Sequence, residues 1–76
     1  MSFRKAKAVI KLGIWLQKGG QLSRKKIEQR LDVSASTVHH YIDDLRKHFN
    51  APIDYNSVND YYYCSKPWNI MEEIEK

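Results

Sequence analysis

Apolar positions along the chain fall into helical stripes, followed by a change of period. Between residues 4 and 18, Ala6, Val9, Ile10, Gly13, Leu16 and Gln17 recur at spacings of three and four, on one face of a helix. Ile10, Leu12, Ile14 and Leu16 also alternate as a strand would. A strand usually runs roughly 5–6 residues, far short of this stretch, so length decides for helix. Gly13 inside it should cost about 1 kcal/mol relative to Ala and suits close approach by a neighbouring helix. Gly19-Gly20 ends the element.

Two serine-capped helices follow. Ser23 is an N-cap, with Leu22 before it and Ile27 beyond it at the spacing of a hydrophobic staple. Ile27 and Leu31 give a short apolar edge, and Asp32 tolerates the left-handed turn that stops the helix. The device repeats with Val33, Ser34 and Val38. Val38, Ile42, Leu45 and Phe49 then line one face of a helix over residues 35–49, flanked by Tyr41 and closed by Asn50 and Pro52.

After Pro52 the period becomes two. Ile53 and Tyr55 alternate with Asp54, residues 56–60 carry turn chemistry, and Tyr61-Tyr62-Tyr63-Cys64 is rich in strand formers. This predicts a hairpin with Tyr55, Tyr61 and Tyr63 on its packed side and Tyr62 on the other. Lys66-Pro67 breaks the strand. Asn69 with Glu72 has the spacing of a capping box for a last short helix lined by Ile70, Met71 and Ile74. The tail stripe of Trp68, Ile70, Met71 and Ile74 has two expected uses: folding back on the first helix beside Trp15, or pairing with a second copy.

Seventy-six residues make one small domain with a small core. At 42% hydrophobic and 29% charged the composition is that of a globular chain. No apolar run approaches the ~20 residues of a membrane span, and no signal peptide or membrane partner is expected. The lone Cys64 excludes an internal disulfide and a cysteine-based zinc site. Charge is unevenly placed. Residues 1–30 hold nine of the thirteen Lys and Arg against one acid, net +8; residues 31–76 hold four against eight, net −4. A basic half suggests a polyanion partner.

Two short helices around a tight corner at Leu31 and Val33 have helix-turn-helix spacing. With a helix before and a hairpin after, the expected fold is α+β and mostly α: a winged helix-turn-helix over residues 1–67. Residues 68–76 form a short C-terminal helix or linker and a candidate dimerisation element.

The stretch from Gln21 to Val38, then Asp43 to Lys47, Ala51 to Tyr55 and Tyr61 to Tyr63, resembles the N-terminal domain of WYL-domain and DeoR-like bacterial transcriptional regulators. The resemblance implies a cytoplasmic, nucleoid-associated repressor that binds double-stranded DNA, with dimerisation on palindromic sites as a further expectation. The chain departs from that family's pattern at Glu28, Asp32, His39 and His40, and its wing carries no Lys or Arg. The family's effector-sensing domain is absent, which leaves an excised domain or a stand-alone DNA binder as expectations.

In this motif class the first turns of the second helix of the pair meet base edges. Ala35, Ser36, Thr37, His39 and His40 are therefore the expected base contacts. Arg24, Lys25 and Lys26 occupy a helix first turn, where the macrodipole disfavours each cation by roughly 0.3–1 kcal/mol; an arriving phosphate would reverse that cost. Ser34, Arg4, Lys5 and Tyr62 complete the expected phosphate contacts. His39 with Asp43 and His40 with Asp44 stand four residues apart, but each pair offers a metal only two ligands on an open helix. No enzyme activity, cofactor, metal or small-molecule site is expected. The acidic wing supports an alternative, a winged-helix module for protein or RNA.

Overall fold

The computed structural model describes residues 3–76. In chain order the elements are α1 (Phe3–Gln17), β1 (Leu22–Ser23), α2 (Arg24–Leu31), α3 (Ala35–His48), β2 (Ile53–Asn56), β3 (Tyr61–Cys64) and α4 (Ile70–Glu75). The helices lie within one residue of the ranges expected from periodicity. β1 is the element that the periodicity misses: two residues, shorter than any detectable alternation, which also serve as the lead-in to α2.

The caps form as the side-chain chemistry requires. Ser23 Oγ accepts from Lys26 N–H at 3.1 Å, and Ser34 Oγ accepts from Thr37 N–H at 3.3 Å. Asp32 takes the left-handed conformation (φ 53°) and its N–H bonds the Glu28 carbonyl, joined there by Val33 N–H at 3.1 Å. The corner between α2 and α3 is thus closed by backbone bonds, with Leu31 and Val33 packed on the core beneath it.

One core serves the molecule. Val9, Leu12 and Leu16 of α1, Ile27 of α2 and Val38, Ile42 and Leu45 of α3 are sealed, joined by Leu22, Ile53 and Tyr62 from the sheet and by Ile70 from α4. Burying an aliphatic side chain of this kind contributes roughly 1.5–3 kcal/mol. The sheet is antiparallel in the order β1-β3-β2. Tyr62 on the central strand stands opposite Leu22 on one side and Tyr55 on the other. This is a winged-helix arrangement, three helices backed by a small sheet.

The strand phase corrects one expectation. Tyr62 is the tyrosine that faces the core, 2% exposed, while Tyr61 and Tyr63 sit on the opposite face with ring centroids 5.8 Å apart. Register decides this: the neighbours that Tyr62 meets across the ladder, Leu22 and Tyr55, share the face of Ile53, which is 4% exposed. Tyr55 lies on that same face, beside the hairpin turn, and stays 42% exposed.

The tail folds back on α1, at Gly13 and Gln17. Trp68 Nε1–H donates to the Phe49 carbonyl at 2.9 Å, and Ile70 N–H donates to Gln17 Oε1 at 2.9 Å. Ile70 is fully buried against Gly13. Trp15 carries the Arg30 guanidinium 5.2 Å over its ring. Asn69 caps α4 through Met71 N–H at 2.9 Å. The carboxylate on its first turn that finds partners is Glu73, not Glu72: it accepts from Asn50 Nδ2 and from Lys76 Nζ. Met71 and Ile74 remain 51% and 46% exposed.

Candidate nucleic-acid interface

The two faces of α3 divide cleanly. Val38, Tyr41, Ile42 and Leu45 are buried, which turns Ser36, His39, His40 and Asp43 to solvent, with Ala35 and Thr37 half-buried near the helix start. Helical periodicity produces this: residues three and four apart share a side, so an apolar stripe anchored in the core leaves a polar stripe opposite. Ser34, exposed at the cap, shares a 3.1 Å hydroxyl contact with Thr37 Oγ1. His39 is held as well as exposed, since its Nδ1 lies 3.2 Å from Tyr62 Oη.

The first turn of α2 is less open than its three cations suggest. Arg24 is tied on every side. Its backbone N–H donates to the Asp60 carbonyl at 3.3 Å, one guanidinium nitrogen meets Asp60 Oδ2 at 3.3 Å, and the other bonds Glu28. The Asp60 charge, then Glu28, raises the Arg24 pKa against the opposing effect of burial. Asp60 also accepts a hydrogen bond from the Tyr55 hydroxyl, and that bond, followed by the Arg24 charge, lowers its own pKa. The cluster clamps the wing turn to α2. Composition pointed to a triplet of phosphate-seeking cations; the fold leaves Lys25 and Lys26 exposed and gives Arg24 internal partners. The Glu28 partner was readable from the four-residue helical spacing. The Asp60 partner, thirty-six residues away, was not.

The wing is short and carries no cation. Its turn is folded by Asn56, whose Oδ1 accepts from Val58 N–H at 3.0 Å and Asn59 N–H at 3.1 Å. Val58 at the tip is 89% exposed. Tyr62, expected to reach phosphate, is sealed beneath α3 and has no outward face to offer. At the other end of the molecule Lys5 pairs with Asp44 at 3.3 Å, and Arg4, Lys7, Lys11 and Arg30 line a shallow cleft between α1 and α2. Asp43 pairs with Arg46 at 3.7 Å, and Arg46 also donates twice to the Ile53 carbonyl, at 2.9 and 3.1 Å. Arg46 therefore fastens the end of α3 to the wing strand. Burial pushes the half-buried Cys64 thiol upward, so it stays protonated and packed rather than reactive.

Residues 9–57 match the family described as HTH domain, a segment that runs from mid-α1 through both capped helices into the wing turn. The chain belongs to the HTH domain family. It is a helix-turn-helix DNA-binding domain, with α2 and α3 as the helix pair and DNA as its partner. No curated protein and no solved structure matches it. The exposed side of the second helix of the pair, α3, carries the polar stripe of Ser36, His39, His40 and Asp43. No helix among the described residues is long and apolar enough to cross a membrane.

Proposed function

We propose that this helix-turn-helix domain is a sequence-specific regulator of transcription, acting as a repressor, with α3 in the major groove of duplex DNA. The observation that carries the reading is the exposure of Ser36, His39 and His40 on one side of a helix whose other side is locked into the core. Serine donates or accepts, histidine donates to purine acceptors, and the Ala35 and Thr37 methyls suit the thymine methyl. Lys25 and Lys26, with Ser34 and the α2 N-terminus, hold the phosphates, and Arg4 and Lys5 lie along the flanking backbone. Arg24 serves by fixing the wing.

The resemblance to WYL-domain and DeoR-like regulators supports the same assignment. Met71 and Ile74, exposed on α4, provide the surface for a second copy and so for a palindromic site. In vitro selection of bound duplexes with the 76-residue chain tests this. The expected result is one enriched motif with two-fold symmetry; recovery of unenriched sequence would contradict it.

One observation favours a second reading, a module that binds protein or RNA. The wing lacks any cation and exposes the acid Asp54. Salt-insensitive behaviour on random duplex in a gel shift would select that reading.

A further inference from the structure

We infer that Tyr62 is a positioning residue for DNA recognition: from the central strand of the sheet it fixes the ring and tautomer of His39, so that Nε2–H is the donor presented to the groove. The inference rests on the proposed role of His39 as a base contact.

Tyr62 is anchored on all sides. Leu22 and Tyr55 flank it across the ladder, the Tyr55 ring stands 4.9 Å away at a tilt of 46°, and the side chain is 2% exposed. His39 is equally constrained at its backbone, because its neighbour Val38 is sealed in the core and Ile42 is 1% exposed. Between these fixed points the two rings meet edge-on, at 79° and 6.4 Å, with Tyr62 Oη 3.2 Å from His39 Nδ1.

The direction of that bond follows from counting partners. Desolvation raises the Tyr62 pKa, so the phenol keeps its proton. Among the described residues His39 Nδ1 is the only hydrogen-bond partner of that hydroxyl. If Nδ1 carried a proton and donated, the O–H of a residue only 2% exposed would be left without a protein acceptor, a costly arrangement. Tyr62 therefore donates, Nδ1 accepts, and the proton of the neutral imidazole resides on Nε2. Nε2 is the polar atom left to an exposed ring. A donor held there suits purine N7, guanine O6 or thymine O4 and disfavours the cytosine amino group.

The test begins without DNA. Nitrogen-15 chemical shifts of the histidine side chains in the full chain should show His39 as a fixed Nε2–H tautomer, distinct from exposed His40 and His48. Tyr62→Phe, which keeps the ring packing, should move His39 to the tautomer mixture of the other two. It should also lower the preference for the selected duplex over random duplex by roughly two- to tenfold, with affinity for random duplex unchanged. A wild-type His39 with the same mixture as His40 and His48 would overturn the inference, whether or not Tyr62→Phe folds; so would shifts unmoved by that substitution. A fixed tautomer alongside a duplex preference indifferent to His39→Ala would remove the role in recognition through failure of the base-contact reading, leaving the bond itself established.

Discussion

Ile70 seats its Cδ1 at 2.6 Å from the point where a Cβ on Gly13 would stand, with Leu45 and Trp68 at 3.1 and 3.3 Å. The glycine that weakens α1 locally is what lets the C-terminal helix dock. Gly13→Val should therefore destabilise the fold by about 1–3 kcal/mol through overpacking, despite the better helix propensity of valine. Ile70→Ala should cost about 2–5 kcal/mol. Urea unfolding midpoints measure both. A neutral Gly13→Val would mean that α4 does not rest there in solution.

The Arg24–Asp60–Tyr55 cluster gives stability an acid dependence of known sign. The Asp60 pKa is lowered in the folded state, chiefly by the Tyr55 hydrogen bond and the Arg24 charge, and that of Glu73 is lowered by Asn50 and Lys76. Both contributions are fully present above the ordinary carboxylate values and lost as pH falls below them through the depressed folded values. Asp60→Asn should flatten this acid limb in thermal unfolding scanned from pH 6 downward. An unchanged limb would show that the cluster does not persist in solution.

Lys25 and Lys26 are expected to act on any duplex alike. Replacing both with Gln should weaken binding to all sequences to a similar degree and lower the salt slope of log affinity by about 2. Arg24→Gln should instead loosen the wing and lower thermal stability, with a smaller effect on that slope. Gel shifts across a salt series check each variant; a loss confined to one sequence would contradict the phosphate role.

The helices were legible because each carries local evidence: an apolar stripe in α1, a staple and a serine cap in α2 and α3, and an Asn69 cap in α4, features that the core then used without revision. The sheet was legible only in part. Tyr61-Tyr62-Tyr63 has no alternation of apolar and polar, so nothing within it reveals which tyrosine faces inward. Leu22 and Ile53 decide that, the one forty residues before Tyr62 and the other across the hairpin. β1 was hidden for a related reason, since two residues have no period. At the site, the polar stripe of α3 followed from periodicity alone, whereas the Asp60 claim on Arg24 and the Tyr62 hold on His39 are long-range pairings with no local trace.

The proposed reading surface on α3 is tested most directly by titrating the selected duplex and a random duplex of equal length with the wild-type chain and with Ser36→Ala/His39→Ala. Both replaced side chains are exposed, but His39→Ala leaves the Tyr62 hydroxyl unpaired, so circular dichroism first checks that the fold survives. Wild type should prefer the selected duplex, and the double variant should lose about 1–3 kcal/mol of that preference for each base contact removed while binding random duplex as before. An undiminished preference in the double variant would contradict the placement of this helix face against the bases.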